Sequence, residues 1–308
     1  MLKYLVAAIS IAWCINSSFA AEPAGKTVRL LNVGNSFSNN AMTYLDDLVA
    51  ADGKNTLING KAVIGGSSPD KHFDKARLNE KDPQDKNGLY SDGKSLKQFL
   101  TEEPWDFITV QQASIKSHDL ETYRPHMANL VDYIKKYAPK SEIIVHQTWA
   151  YRADDPRFRV TEPKPGEPRT QQEMYEGLTK AYDTIAKDLG LRVVPVGDAF
   201  YLADTDPKRG FRIDTKFNAK TAKPKQLPNQ THSLHVGWRW TTKDGKTRLG
   251  MDGHHANTAG CYLGGCVFYE FLFGNVVGNP FVPEGLDADY ARFLQETAHA
   301  AVAKRRGE

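Results

Sequence analysis

The stretch Leu30-Leu31-Asn32-Val33-Gly34-Asn35-Ser36-Phe37-Ser38-Asn39-Asn40 decides the fold prediction. Its apolar part stops at Gly34, and helical spacing begins at residue 41, so the pattern predicts a strand, a glycine turn and a helix. This order places the turn at the carboxyl end of a parallel sheet, where open α/β folds hold their sites. Ser36 then lies near a helix start, whose free N–H groups favour a developing negative charge. From this stretch alone, Ser36 and Ser38 are either nucleophile candidates or helix caps.

Short apolar segments alternate with helical segments along the rest of the chain. Strands are predicted at 55–66, 105–110, 143–145 and 191–196, and helices at 127–137, 171–189, 257–273 and 288–303. The predicted fold is α/β, a three-layer α/β/α sandwich over residues 21–308 with a flavodoxin-like parallel sheet of about five strands. Residues 204–250 break this alternation and contain a hairpin turn at Lys243-Asp244-Gly245, so they are expected to form a lid-like insertion.

The composition is that of a globular protein, with 308 residues, 40% hydrophobic and 25% charged, and a formal net charge of +3. Such a balanced charge does not favour nucleic-acid binding. Residues 1–20 have the pattern of a cleaved secretory signal, which predicts a secreted or periplasmic protein without a membrane anchor after cleavage. Cys261 and Cys266 are expected to be small buried side chains rather than a disulfide.

The stretch Met251-Asp252-Gly253-His254-His255-Ala256-Asn257-Thr258-Ala259-Gly260 contains the second set of candidate residues. A nucleophilic serine needs a base to accept its proton and a third group to orient that base. Asp252 and His255, three residues apart in a predicted turn at a helix start, supply both. The chain order Ser, Asp, His fits α/β hydrolases, but residues 34–38 lack the second glycine of the G-x-S-x-G elbow.

Together these residues resemble the SGNH (GDSL-like) hydrolase superfamily. The resemblance rests on Gly34-Asn35-Ser36 after the first strand, a glycine after the second, and Asp-x-x-His before the last core helix, and it spans about residues 27–275. It implies that Ser36 is the nucleophile, His255 the base and Asp252 its orienting carboxylate. It also implies an oxyanion hole formed by the backbone N–H groups of Ser36 and Gly66.

The third oxyanion donor departs from the family pattern. Many members have an asparagine after the third strand, where this chain has Gln111 and Gln112, and a glutamine amide also donates hydrogen bonds. We expect Gln112, or else Gln111, to complete the hole. This variant resembles a poorly characterised secreted bacterial branch, distantly similar to sugar O-acetylesterases. Asn35 and Trp149 are expected to contact substrate, with Trp149 either stacking on a sugar or packing in the core.

The function predicted from these residues is a secreted serine esterase that removes O-acetyl or similar small acyl groups from carbohydrate. Its partner is a small-molecule or polysaccharide ester, and no cofactor is required. One alternative is a catalytically weak carbohydrate-binding protein on the same fold. Another is a metal-dependent phosphoester hydrolase, whose candidate ligands are Asp252, His254 and His255, together with His232 and His235.

Overall fold

The computed structural model describes residues 25–308. The predicted signal, residues 1–20, therefore lies outside the described residues. Within the described part of the chain, no helix combines the length and the apolar character needed to cross a membrane.

The centre of the fold is a five-stranded parallel sheet with strand order β2-β1-β3-β4-β5. Leu31 of the first strand along the chain lies beside Gly60 on one side and Ile108 on the other. Helices cover both faces of such a sheet, so its middle strand, Phe107–Val110, is almost continuously apolar. The strands are β1 (Thr27–Gly34), β2 (Thr56–Val63), β3 (Phe107–Val110), β4 (Glu142–His146) and β5 (Arg192–Val194). The predicted α/β class and five-stranded parallel sheet are confirmed.

Nine α-helices are described. One group packs around α8 and consists of α1, α2, α7 and α9, while α3, α4 and α5 pack against one another, which gives the layers of the sandwich. The helices are α1 (Ser36–Ala41), α2 (Leu45–Ala51), α3 (Pro69–Lys81), α4 (Leu96–Thr101), α5 (His126–Tyr137), α6 (Gln171–Leu189), α7 (Val196–Thr205), α8 (Thr258–Phe273) and α9 (Ala288–Arg306). The helix α7 was not predicted, since its start was read as the end of the fifth strand.

The turn after β1 is tighter than the sequence indicated, because α1 begins directly at Ser36. The Asn35 side chain caps this helix by accepting a hydrogen bond of 3.0 Å from the Phe37 N–H. A glycine is needed just before it, since a Cβ atom on Gly34 would lie 2.7 Å from Gln111 Oε1. Asn35 is thus the cap, and neither Ser36 nor Ser38 has that role.

The predicted insertion contains a separate antiparallel hairpin of β6 (His235–Lys243) and β7 (Lys246–Ala256). Its turn is at the predicted position, with positive φ angles of 51° at Asp244 and 69° at Gly245. The strand β7 continues beyond the predicted end of the insertion and carries the Asp-x-x-His pair. The pair lies where the pairing with β6 is irregular, since Asp252 pairs with Gly237 and Ala256 with His235 while the residues between have no partner in β6. The helix that the sequence predicted after the pair begins at Thr258.

A fully buried arginine attaches the hairpin to the loop after β4. The Arg152 guanidinium binds the Asp154 carboxylate at 2.6 and 2.9 Å and donates to Gln230 Oε1 at 2.7 Å. Its backbone N–H donates to the Gly253 carbonyl at 2.8 Å. A buried guanidinium is stable only when its donors are satisfied, so these bonds fix the hairpin against the sheet.

Candidate active site

The turns that follow β1, β2, β3 and β4 meet the end of β7 at one cleft at the carboxyl edge of the sheet. The cleft has a volume of about 220 Å³. It is lined by Asn35, Ser36, Phe37, Gly66, Ala113, Ser114, Ile115, Tyr151, Arg157, His254 and His255. This is the position at which parallel α/β sheets place their ligands.

Ser36, His255 and Asp252 form a continuous hydrogen-bonded chain at this cleft. The Ser36 Oγ lies 3.0 Å from His255 Nε2, and His255 Nδ1 lies 3.1 Å from Asp252 Oδ2. The other Asp252 oxygen accepts a hydrogen bond of 3.0 Å from the His255 backbone N–H. The carboxylate thereby orients the imidazole, and the imidazole is placed to accept the serine proton. The predicted trio is brought together although Asp252 follows Ser36 by 216 positions in the sequence.

The Asp252 carboxylate stays ionised in this setting. Burial alone would raise its pKa, but hydrogen bonds from the side chain and backbone of His255 hold the pKa well below its usual range. His254 Nδ1 and Arg239 Nη2 also face it, at 3.3 and 3.5 Å. Burial lowers the pKa of His254, which favours its neutral form. A neutral His254 does not compete for the negative charge of Asp252, which then faces His255 and the more exposed Arg239.

The backbone groups predicted for the oxyanion hole border the cleft. Ser36 is the first residue of α1, and Gly66 has a φ angle of 64° in the turn after β2. Among the hydrogen bonds of residues 25–308, the backbone N–H groups of Ser36 and Gly66 have no protein acceptor. Two N–H groups at the rim of the cleft are thus available to a bound oxygen.

The predicted glutamine donor is corrected by the structure. The Gln112 side chain is fully buried, with Nε2 donating to the Thr122 carbonyl at 3.0 Å and Oε1 accepting from the Ala113 N–H at 2.8 Å. The Gln111 amide donates to Asn35 Oδ1 at 2.7 Å, and its Oε1 accepts from Ser38 Oγ. Both glutamines turn away from the cleft because each satisfies buried polar groups of the loops.

The two predicted substrate-binding residues have structural roles as well. Asn35 borders the cleft, but its amide donates to the Ser67 carbonyl at 2.8 Å while its oxygen holds Phe37 and Gln111. Trp149 is fully buried, so the prediction that it stacks on a sugar is wrong. Its ring stacks on Phe200 with centroids 4.3 Å apart, and its Nε1 donates to the His254 carbonyl at 2.9 Å. Trp149 thus supports the segment that carries His254 and His255 through this hydrogen bond.

Three polar side chains at the cleft were not assigned from the sequence. Tyr151 Oη lies 3.0 Å from Ser114 Oγ and accepts a hydrogen bond of 2.8 Å from Arg157 Nη1. The Arg157 guanidinium also lies 4.9 Å from the centre of the Tyr151 ring. The sequence signal that could have pointed to Tyr151 is the polar turn after β4, in which Tyr151 follows Trp149 by two residues. The sequence offered no means of deciding which of the two aromatic rings faces the cleft.

The candidate metal ligands come together only in part. Within residues 25–308, Asp252, His254 and His255 are the one group with ligand-like spacing, their candidate atoms lying within 4.8 Å of one another. His232 instead stacks on Tyr290, and His235 Nε2 lies 3.0 Å from the Ala150 carbonyl. Neither of these two joins the group. The three residues that do are Asp252 and His255 of the hydrogen-bonded chain and their neighbour His254.

The fold and the site define an α/β protein with a hydrogen-bonded serine, histidine and aspartate at one edge of a five-stranded parallel sheet. Residues 29–219 match the family model described as a domain of unknown function, DUF4886. The chain belongs to this family. No curated protein matches it.

Several solved structures are similar to this chain. A DUF4886 family protein from Bacteroides uniformis is 27% identical, with a TM-score of 0.65 over 90% of this chain and 95% of that one. A putative SGNH hydrolase from Slackia heliotrinireducens is 18% identical, with a TM-score of 0.48 over 79% and 98%. A putative GDSL-like lipase from Parabacteroides merdae is 13% identical, with a TM-score of 0.43 over 80% and 96%.

Proposed function

We propose that the protein is a serine esterase that hydrolyses small acyl esters, O-acetyl esters of carbohydrate in particular. The observation that carries this proposal is the chain of hydrogen bonds from Ser36 Oγ through His255 to Asp252, at 3.0 and 3.1 Å, opening on a cleft. An asparagine-capped turn and a partly buried carboxylate hold this geometry before any substrate binds. Such preorganisation is what nucleophilic catalysis requires.

The reaction follows from the positions of these atoms. His255 Nε2 accepts the Ser36 proton as Oγ attacks the ester carbonyl carbon, and the carbonyl oxygen takes the negative charge. The N–H groups of Ser36 and Gly66 are the proposed donors to that oxygen. His255 then gives the proton to the departing alcohol oxygen, and a water molecule repeats the attack on the acyl-enzyme with His255 again as the base. The products are a carboxylic acid and an alcohol, and the serine is regenerated.

The choice of a small acyl group rests on the size of the cleft and on the polar groups around it. A volume of about 220 Å³, shared with the nucleophile and base, suits an acyl group of a few carbon atoms. Ser114, Tyr151 and Arg157 offer hydroxyl and guanidinium groups to a hydroxylated alcohol, and these are typical ligands of sugar hydroxyls. We also propose export from the cytoplasm, supported by the signal-like sequence of residues 1–20.

The test combines covalent labelling with turnover. The purified protein is treated with a fluorophosphonate, the labelled peptide is located by mass spectrometry, and acetate release is followed on p-nitrophenyl acetate and acetylated polysaccharides. We expect a single label on Ser36 and loss of both label and turnover in Ser36→Ala. Absence of labelling together with loss of activity in a chelator would instead favour metal-dependent hydrolysis through Asp252, His254 and His255.

A further inference from the structure

A second cavity adjoins the catalytic cleft. It has a volume of about 430 Å³, and Ile115, Tyr151 and Arg157 line both the cavity and the cleft. Pockets of this size bind drug-sized molecules or a comparable part of a larger one. We name this cavity the side groove. Its other lining residues are His118, Phe158, Val160, Glu162, Pro163, Lys164, Glu167, Pro168 and Met174.

The side groove is apolar on its floor and walls. Tyr151, Phe158 and Met174 are buried and form part of its floor. Ile115 and Val160 line it as well, and they are 50% and 47% exposed, the highest values among the large apolar side chains of residues 25–308. Covering apolar surface stabilises a complex by roughly 25 cal/mol per Å². Two exposed apolar side chains in one groove therefore indicate an apolar ligand.

The charges at the rim of the groove balance one another. Arg157 and Lys164 contribute positive charge, and Glu162 and Glu167 contribute negative charge. His118 Nε2 lies 3.8 Å from Glu167 Oε2, which further engages one of these carboxylates. A groove with balanced charges gives no electrostatic preference for an anion or a cation. Its occupant is expected to be uncharged.

We propose that the side groove binds the alcohol portion of the ester, and that this portion carries an uncharged aryl or branched-alkyl group. This inference rests on the proposed esterase function. The departing oxygen takes its proton from His255 Nε2, so the alcohol leaves on the His255 side of Ser36. On that side the rings of His254 and Tyr151 have their centroids 5.5 Å apart. Tyr151 and Arg157 line both the cleft and the side groove.

The cleft and the side groove together fit a narrower class of ester than the cleft alone. The acyl group remains in the small catalytic cleft, while the alcohol combines hydroxyl groups near Tyr151 and Arg157 with an apolar body further along. An acetylated glycoside with an aryl or branched-alkyl aglycone has this arrangement. An unsubstituted polysaccharide would leave Ile115 and Val160 uncovered.

The experiment compares esters whose leaving groups are both primary alcohols of similar reactivity. The ratio of kcat/KM for 2-phenylethyl acetate to that for ethyl acetate is measured on the purified protein. One well-filled apolar group is worth about tenfold or more in this ratio. We expect that preference in the wild type and a ratio near one in Val160→Asp, which places a charge in the groove wall. Leu227→Asp is the matched control, since Leu227 is 44% exposed and does not line the groove, and it should keep the wild-type ratio.

Three results would overturn the proposal. The first is a wild-type ratio near one, and the second is a preference that Val160→Asp does not change. The third is a higher kcat/KM for ethyl 3-phenylpropanoate than for ethyl acetate that is lost in Val160→Asp, because the groove would then bind the acyl group. Failure to hydrolyse any ester, including p-nitrophenyl acetate, would overturn the proposed esterase function itself, and so the two failures are distinguishable.

Discussion

The Asn40 side-chain oxygen accepts a hydrogen bond of 3.1 Å from the backbone N–H of Ala256. Asn40 belongs to the helix that begins at Ser36, and Ala256 directly follows His255. This bond therefore ties the helix of the proposed nucleophile to the segment of the proposed base. Since the Oγ–Nε2 distance decides proton transfer, a bond that fixes these two elements should affect turnover more than binding.

We predict that Asn40→Ala lowers kcat about tenfold on p-nitrophenyl acetate and changes KM by less than about threefold. Asn40→Asp keeps an acceptor oxygen at the same position and should recover most of the lost kcat. Asn39→Ala is the control, because Asn39 is exposed and its side chain makes no hydrogen bond to the base segment. Steady-state kinetics on the three variants checks the prediction, and a wild-type kcat in Asn40→Ala would contradict it.

The two adjacent histidines should differ strongly in their effect on catalysis. Both place Nδ1 near Asp252, at 3.1 Å for His255 and 3.3 Å for His254, but Ser36 lies at 3.0 Å only from His255. We predict that His255→Ala lowers kcat by about 10³ or more, because no other base reaches the serine. His254→Ala should cost less than about tenfold. Equal losses in the two variants would show that His254 takes part in proton transfer.

The triad was predictable from the sequence because its signals are local. A buried strand that stops at Gly34 places Ser36 at the sheet edge whatever the rest of the chain does. The spacing of Asp252 and His255 lets one segment supply both the base and its orienting group. Neither inference depends on a long-range contact, and the structure places these residues together.

The oxyanion donor and the substrate contacts were not predictable in the same way. The direction of Gln112 is decided by Thr122, which lies ten residues later in a short 3₁₀ helix. Trp149 turns inward because Phe200, on a helix that was not predicted, supplies a stacking partner. The hairpin turn was predicted, but the length of β7 was not, because pairing with β6 rather than an apolar alternation defines most of it. Each of these features is set by tertiary contacts that sequence periodicity does not contain.

The Gln112 side chain should be important for stability rather than for turnover. We predict that Gln112→Ala lowers the free energy of unfolding by about 1–3 kcal/mol, because the Thr122 carbonyl and the Ala113 N–H lose a buried partner. The kcat of the folded variant should stay within about threefold of the wild type. Loss of a true oxyanion donor typically costs about 10²–10³ in kcat. Urea unfolding and steady-state kinetics on one preparation separate the two results, and a 10²-fold loss in kcat with unchanged stability would restore Gln112 as a donor.

Buried histidines should make the fold sensitive to acid. Burial lowers the pKa of His72 to about 4, and that of His146 and His235 to about 3. The unfolded chain takes up protons on these groups near pH 6.5 and the folded protein does not, so their contribution is complete above about pH 6.5 and is lost as the pH falls. Asp204 acts in the opposite direction, since burial raises its pKa to about 7. The folded protein therefore binds a proton on Asp204 at a pH where the unfolded chain does not.

Between pH 6 and pH 5, the three histidines bind protons in the unfolded chain only, and Asp204 binds one in the folded protein only. The unfolded chain therefore holds about two more protons than the folded protein. We predict that the free energy of unfolding falls by about 2–3 kcal/mol per pH unit between pH 6 and pH 5, measured by urea unfolding. His146→Asn keeps an amide donor near Gln111 without a titrating ring, and should reduce this slope by about 1.4 kcal/mol per pH unit. Val145→Ala, a buried neighbour on the same strand, should lower stability at every pH and leave the slope unchanged. Equal slopes in His146→Asn and the wild type would show that His146 does not bind its proton on unfolding.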